Sequence, residues 1–274
     1  MADIRTTPDI LDHYASGYER VRLLTGPSQL ELARTQELLT RYLPPPPAVI
    51  LDVGGGPGTY ARWLAGQGYE VHLVDPVPIH VEEATRAGGD PPLASARIGD
   101  ARHVDYPDAS ADVVLLMGPL YHLTERADRL LALREAARIV RPGGLVFAVG
   151  IARFTSLLDG LSSGYLDDPD FVAIVERDLR DGQHRNPGNH PGYFTTAYFH
   201  HPDELRDEAL EAGLSVTETV AIEGPGHWVP RDFDAWWDDP NRRERLLAAV
   251  RAVESEPSLI GLGPHFMVIA RRDT

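Results

Sequence analysis

Residues 51–59, LDVGGGPGT, place glycines at alternate positions, Gly54, Gly56 and Gly58, directly after a carboxylate at Asp52, and a second carboxylate, Asp75, lies twenty-one residues beyond Gly54. Glycines here permit a tight turn and close backbone approach to a ligand, and the helix start just beyond them offers unpaired amides to a polar group. An acid ending the next strand is placed to accept both hydroxyls of a ribose. Asp52 sets the sign of the ligand's charge: a carboxylate ahead of the turn suits a cationic amino group and is unfavourable beside a pyrophosphate. The glycine register agrees, since a G-x-G-x-x-G read from Gly54 puts Thr59 where the last glycine belongs. A cationic nucleoside is suggested rather than a dinucleotide.

These residues need a strand before the turn, a helix after it and a second strand ending near Asp75. The apolar run AVILDV at residues 48–53, bounded by prolines and glycines, reads as a strand buried on both faces of a parallel sheet. Residues 60–66 read as the helix, stopped by Gly66 and Gly68, and residues 70–74 as the second strand. Further units follow: a helix over 79–86, a break or short strand over 91–96, a strand over 111–118, a helix over 125–140, and a strand after the RPGG turn at 141–144. Upstream, Ser28 and Glu31 form a capping box opening a helix over 28–42, which the prolines at 44–47 end. Residues 202–211 then predict a helix and 216–222 a strand; Asp239 and Pro240 predict the N-cap and first turn of another helix, and 265–270 the last strand. The reading is a doubly wound α/β core over 44–150, an N-terminal helical lid segment over 1–43, a helical cap or acceptor-site insertion over 151–200, and completion of the core over 201–274 with a helical insertion near 231–256.

Composition narrows the partners. The absence of cysteine removes disulfides, thiolate catalysis and sulfur-ligated metals. A formal charge of −15 opposes nucleic acid or an anionic membrane as partner. The opening residues show no apolar signal run, and no window reaches the ~18-residue apolar length of a membrane helix. The expectation is a cytoplasmic monomer or homodimer acting on a small molecule. Its eleven histidines are dispersed, with no compact HxH, HExxH or paired-acid motif, so metal independence is expected.

The acid-x-Gly-x-Gly-x-Gly run of Asp52, Gly54, Gly56 and Gly58, the segment IGDARHVDYPDASADVVLLMGPLYHL and the ARIVRPGGLVFAV region resemble class I S-adenosylmethionine-dependent methyltransferases over roughly residues 45–150. The resemblance implies a Rossmann-like, doubly wound, mostly parallel seven-stranded sheet with an antiparallel last strand, and S-adenosylmethionine as cofactor. It implies that the glycine loop holds the methionine portion, Asp75 the ribose, and Asp100 the adenine amino group, with a backbone amide from Ala101. Val77, Pro78 and Met117 would contact adenine or the sulfonium region by dispersion, or serve in ordinary packing. An N-terminal helix folding over the cofactor, as in many relatives, would bring Tyr14, Tyr18, Arg20 and Arg22 of HYASGYERVR to the cofactor carboxylate or an anionic acceptor, with surface or core packing as the alternative.

Transfer to oxygen or nitrogen needs alignment first and proton removal where the acceptor carries a proton. His122 in GPLYHL is the leading candidate base, with His200 and His201 as alternatives; each also suits capping or packing. Tyr121, Tyr165, Tyr193 and Tyr198 are candidate acceptor walls with polar handles, or packing aromatics of the insertion. Aminocarboxypropyl transfer or cyclisation of the same cofactor, noncatalytic binding of it, and dinucleotide-dependent oxidoreduction are the competing classes.

Overall fold

The computed structural model describes residues 8–15, 19–86, 91–228, 230 and 232–274. Strand β1 (Val49–Val53) is apolar apart from its acid and pairs in parallel with β2 (Glu70–Asp75) on one side and β4 (Ala111–Leu116) on the other. Adding β3 (Ser95–Ile98) beside β2 and β5 (Val140–Ala152) beside β4 gives the parallel order β3-β2-β1-β4-β5. The last strand, β9 (His265–Arg272), runs antiparallel between β5 and β8 (Leu214–Ala221).

These are the seven expected strands, and the insertion adds two more, making a nine-stranded sheet. β7 (Ala197–His200) pairs in parallel with the tip of β5 through Ile151 with Phe199 and Ala152 with His200, and β6 (Gln183–His184) lies antiparallel to β7. Four and two residues are too short for periodicity to register; β5 creates the pairing by running on past the sheet centre to Ala152.

Helices cover both faces, as a sheet that is apolar on both sides requires. One face meets α6 (Pro119–His122), α7 (Arg126–Ile139) and α10 (Pro202–Glu211) through Leu120, Leu133, Ala136, Leu205 and Ala209. The other meets α3 (Ser28–Tyr42), α4 (Thr59–Gly66) and α5 (Pro78–Arg86) through Leu38, Leu39, Ala61, Leu64 and Ala84. The Ser28–Glu31 capping box does not form: Pro27 holds the cap position without a side-chain hydrogen bond, because Glu31 turns instead to a fork with Arg22. Asp239 does cap α12 (Pro240–Val253), accepting from the amides of Asn241 and Arg242. With α11 (Phe233–Trp237), this helix packs Phe233, Trp237, Leu246 and Val250 on Leu30 of α3.

The insertion also carries α8 (Thr155–Ser163) and α9 (Pro169–Asp181), while α1 (Pro8–Ala15) and α2 (Glu19–Arg22) precede α3. Among the described residues no helix is long and apolar enough to cross a membrane. The chain leaves β1 toward β2 and leaves β4 toward β5, so the two connections part at the carboxyl ends of the central strands and open a crevice there.

Candidate active site

The crevice is a cleft of about 1250 Å3, its mouth included, walled by the β1 and β2 turns, the start of α6, α1 and α2. Gly54, Gly56 and Gly58 all line it or border it and all have positive φ, the region that favours glycine; Gly58 is also the N-cap of α4. A Cβ on Gly118 would sit 2.6 Å from the Gly54 carbonyl oxygen, so the β1 and β4 turns touch backbone to backbone and together form the floor. Gly118→Ala must part them. The expected cost is about 1–3 kcal/mol of stability, read by thermal melting, with a matching loss of affinity for S-adenosylhomocysteine.

Asp52 lies under this turn with 1% exposure, close enough that a Cβ on Gly55 would meet its carboxylate at 2.6 Å. Neither carboxylate oxygen has a hydrogen-bond partner. Burial, reinforced by the nearby charge of Asp75, lifts its pKa to about 7. Because that is above the unfolded value, the stabilising contribution is present below about pH 4 and is lost as pH rises through 7. The free protein should therefore lose roughly 2 kcal/mol between pH 5 and pH 8, a slope that Asp52→Asn removes in melting curves. A cationic ligand that favours the ionised carboxylate should bind more tightly over the same rise.

Asp75 ends β2 and also faces the cleft. Its Oδ2 accepts from the Gly56 amide at 2.9 Å, and its Oδ1 accepts from the Val77 amide at 2.9 Å and from His80 Nδ1 at 3.0 Å. Val77, Asp100, Ala101 and Met117 line the same cleft, whereas Pro78 serves as the first residue of α5 outside it. Asp100 is held by its own neighbour: Arg102 donates from Nε to Oδ1 at 2.9 Å and from Nη2 to Oδ2 at 2.6 Å, and burial is outweighed by this fork, which lowers the Asp100 pKa.

Elsewhere in the cleft lining, His122 Nδ1 donates to the Thr196 carbonyl at 3.1 Å, because a carbonyl can only accept; the lone pair is therefore on Nε2, which accepts from the Tyr14 hydroxyl at 2.6 Å. Burial depresses the His122 pKa to about 4 and keeps the ring neutral, while the same burial raises the Tyr14 and Tyr121 hydroxyls above their ordinary value. Tyr121 lines the cleft against His122.

A second polar group, of which the sequence singles out only Arg22, also lines the cleft. Arg22 forks onto Glu31 at 2.6 and 3.0 Å and also donates to Glu19, while His265 Nδ1 donates to Glu223 at 2.7 Å. Burial opposes ionisation of Glu31, but Arg22 outweighs it and takes the pKa down to about 2; burial likewise opposes the charge on His265, yet Glu223 and Glu31 raise its pKa. Glu31, Glu223 and His265 bring potential ligand atoms within 4.8 Å of one another, and the guanidinium of Arg22 supplies the cation on Glu31. The sequence signal for Arg22 was its place in the HYASGYERVR segment; nothing local marked its partners.

The remaining candidates sit elsewhere. Tyr18 and the side chain of Arg20 lie outside the described residues. Tyr165 and Tyr193 pack with Phe171 in the insertion's own core, and the Tyr193 hydroxyl donates to Asp168. Tyr198 lies beneath the Arg129 guanidinium, 3.8 Å from its ring centre, and His200 is fully buried beside Glu208; neither lines the cleft. His201 caps α10. β7 alternates its side chains across the sheet: Ala197 and Phe199 pack on the side of Tyr121, while Tyr198 and His200 point the other way, to Arg129 and Glu208.

A methyltransferase-domain family model matches residues 51–148. An uncharacterized methyltransferase of Mycobacterium sp. (strain JLS) is 36% identical over 206 residues, 73% of each chain. The ubiquinone/menaquinone biosynthesis C-methyltransferase of Caulobacter vibrioides is 28% identical over 155 residues, 53% of this chain, which spans only 60% of that relative's length. Among solved structures, a Methanosarcina mazei S-adenosylmethionine-dependent methyltransferase shares the fold with a TM-score of 0.57 at 16% identity, over 86% of this chain and 97% of its own. The chain belongs to the class I S-adenosylmethionine-dependent methyltransferases. Its cofactor is S-adenosylmethionine, and the residues present fit that group: a buried, partnerless carboxylate beside a glycine turn calls for a ligand cation, and an acid ends β2.

Proposed function

We propose that the protein methylates an oxygen or nitrogen of a small-molecule acceptor, with the Tyr14–His122 pair taking the acceptor's proton. The observation that carries this reading is the Tyr14 hydroxyl on the unprotonated His122 Nε2, in the same cleft as Asp52 and Asp75. When bound, S-adenosylmethionine supplies a methyl group already activated on cationic sulfur. The chain's task is then to hold, align and dry. Asp52 meets the ligand's ammonium and Asp75 its ribose; Val77 and Met117 flank the base, and the Gly54–Gly58 turn gives the backbone room to approach. α1 covers the cleft through Ile10 and Tyr14 and keeps water from the reacting centre.

The acceptor hydroxyl or amine donates to the Tyr14 oxygen. As its proton passes there, the Tyr14 proton moves to His122 Nε2, and the Nδ1–H bond to Thr196 holds the ring in the receiving tautomer throughout. Tyr121 and the Arg22–Glu31–His265 group form the acceptor's polar walls.

A carbon acceptor on a hydroquinone-type ring is the second reading, favoured by the name of the Caulobacter relative. The test is turnover against hydroxyl, amine and hydroquinone acceptor sets with mass and NMR readout of the product. Methyl on oxygen or nitrogen with one S-adenosylhomocysteine per turnover supports the first reading, methyl on ring carbon the second, and methylthioadenosine would contradict both.

A further inference from the structure

We infer that the two ribose hydroxyls of the cofactor are read by different residues, one by Asp75 Oδ2 and the other by His80 Nε2. The inference rests on the assignment of Asp75 to the ribose and divides that contact by counting lone pairs. A carboxylate oxygen accepts about two hydrogen bonds. Oδ1 of Asp75 already accepts two, from the Val77 amide and from His80 Nδ1, whereas Oδ2 accepts only the Gly56 amide. The carboxylate therefore has one place left, and a vicinal diol brings two hydroxyl donors.

His80 supplies the second place. Since a carboxylate only accepts, Nδ1 carries the hydrogen of the 3.0 Å bond to Asp75, and Nε2 is left with its lone pair. The ring is 3% exposed and belongs to the cleft wall, yet Nε2 has no hydrogen-bond partner. A buried acceptor left unmade costs on the order of 1–3 kcal/mol, a cost that a plain packing residue would avoid. The neighbouring side chain does not relieve it: Tyr14 meets the His80 ring edge to face at 5.3 Å, but its hydroxyl goes to His122. His80 sits in the first turn of α5, five residues after Asp75, so the strand end and the helix start bring the carboxylate and the imidazole to the ligand as a hydrogen-bonded pair.

The test is calorimetric binding of S-adenosylhomocysteine and of its 2′-deoxy and 3′-deoxy analogues to the full chain and to two variants. His80→Asn keeps a donor toward Asp75 but has nothing at the position of Nε2; His80→Gln can present an amide oxygen there. His80→Asn is expected to weaken S-adenosylhomocysteine binding about tenfold, as one lost hydrogen bond would, and to leave the affinity of one of the two deoxy analogues unchanged. His80→Gln should recover part of the loss for S-adenosylhomocysteine alone. Equal weakening for all three ligands would mean that His80 only supports Asp75 and would overturn the inference, as would an unchanged affinity for S-adenosylhomocysteine. Absence of binding by the unaltered protein would instead overturn the cofactor assignment itself.

Discussion

Asp75→Ala is expected to weaken S-adenosylhomocysteine binding by about 100-fold, close to 2.7 kcal/mol, with no comparable loss in Asp75→Asn. The size follows from what the carboxylate holds. Two backbone amides and an imidazole donate to it inside the protein, and hydrogen bonds to a charged group are each worth about 1.5–3 kcal/mol. Alanine strands all three donors and loosens the Gly56 turn at the same time as it removes the ribose acceptor. Asparagine keeps one acceptor oxygen and the side-chain shape, so it should bind with intermediate affinity. Calorimetry gives the binding constants and thermal melting of the free variants separates ligand contact from fold. Equal affinity in Asp75→Ala and the unaltered protein would remove the ribose role.

The second large effect belongs to turnover. His122→Ala should lower kcat by 10²–10⁴, the usual range for a positioned proton acceptor, while S-adenosylhomocysteine affinity stays within about threefold. Tyr14→Phe, which leaves Nε2 without its proton donor, should fall in the same direction. The pH profile distinguishes this role from simple packing. His122 ionises at about 4, so it is neutral and receptive at every pH well above that, and its loss of function on protonation appears only as pH falls toward 4. In kcat at saturating cofactor, where bound cation holds Asp52 ionised, a rate limb near pH 6.5 would mean that His122 is not buried against Thr196 as described. An unchanged kcat in His122→Ala, where chemistry limits turnover, would eliminate the proton-accepting role.

Local chemistry made the half of the cleft around the glycine turn readable. An apolar run followed by glycines at alternate positions has few uses other than a buried strand meeting a ligand-contacting turn, and the acid after the second strand completes it. The helix over 28–42 and that over 202–211 occupy the expected residues because prolines and a glycine bracket periodic apolar faces. The part around Tyr14, His122 and Arg22 was much less readable, because its geometry is tertiary. Glu31 has the spacing of a capping box with Ser28, yet a guanidinium nine residues upstream offers a stronger, charge-assisted partner and wins. His122 stood out by its place after β4, but nothing near it in sequence names Tyr14 or Thr196, which lie 108 and 74 residues away.

The aromatic insertion misled for the opposite reason. Tyr165, Tyr193 and Tyr198 are amphipathic and suit a pocket wall, but they equally suit packing: Tyr165 and Tyr193 join a satellite core with Phe171, and Tyr198, on β7, lies under the Arg129 guanidinium. His80 had a readable signal that composition alone conceals: an imidazole in the first turn of the helix that follows the acid ending β2.

A crystal structure of the S-adenosylhomocysteine complex tests the central claim most directly. The nucleoside should lie across the carboxyl ends of β1 and β2, its ammonium against Asp52, its ribose against Asp75, and its sulfur facing the side of the cleft where Tyr14 meets His122. Density for the ligand elsewhere, with the Asp52 carboxylate still unpartnered under Gly55, would contradict the account.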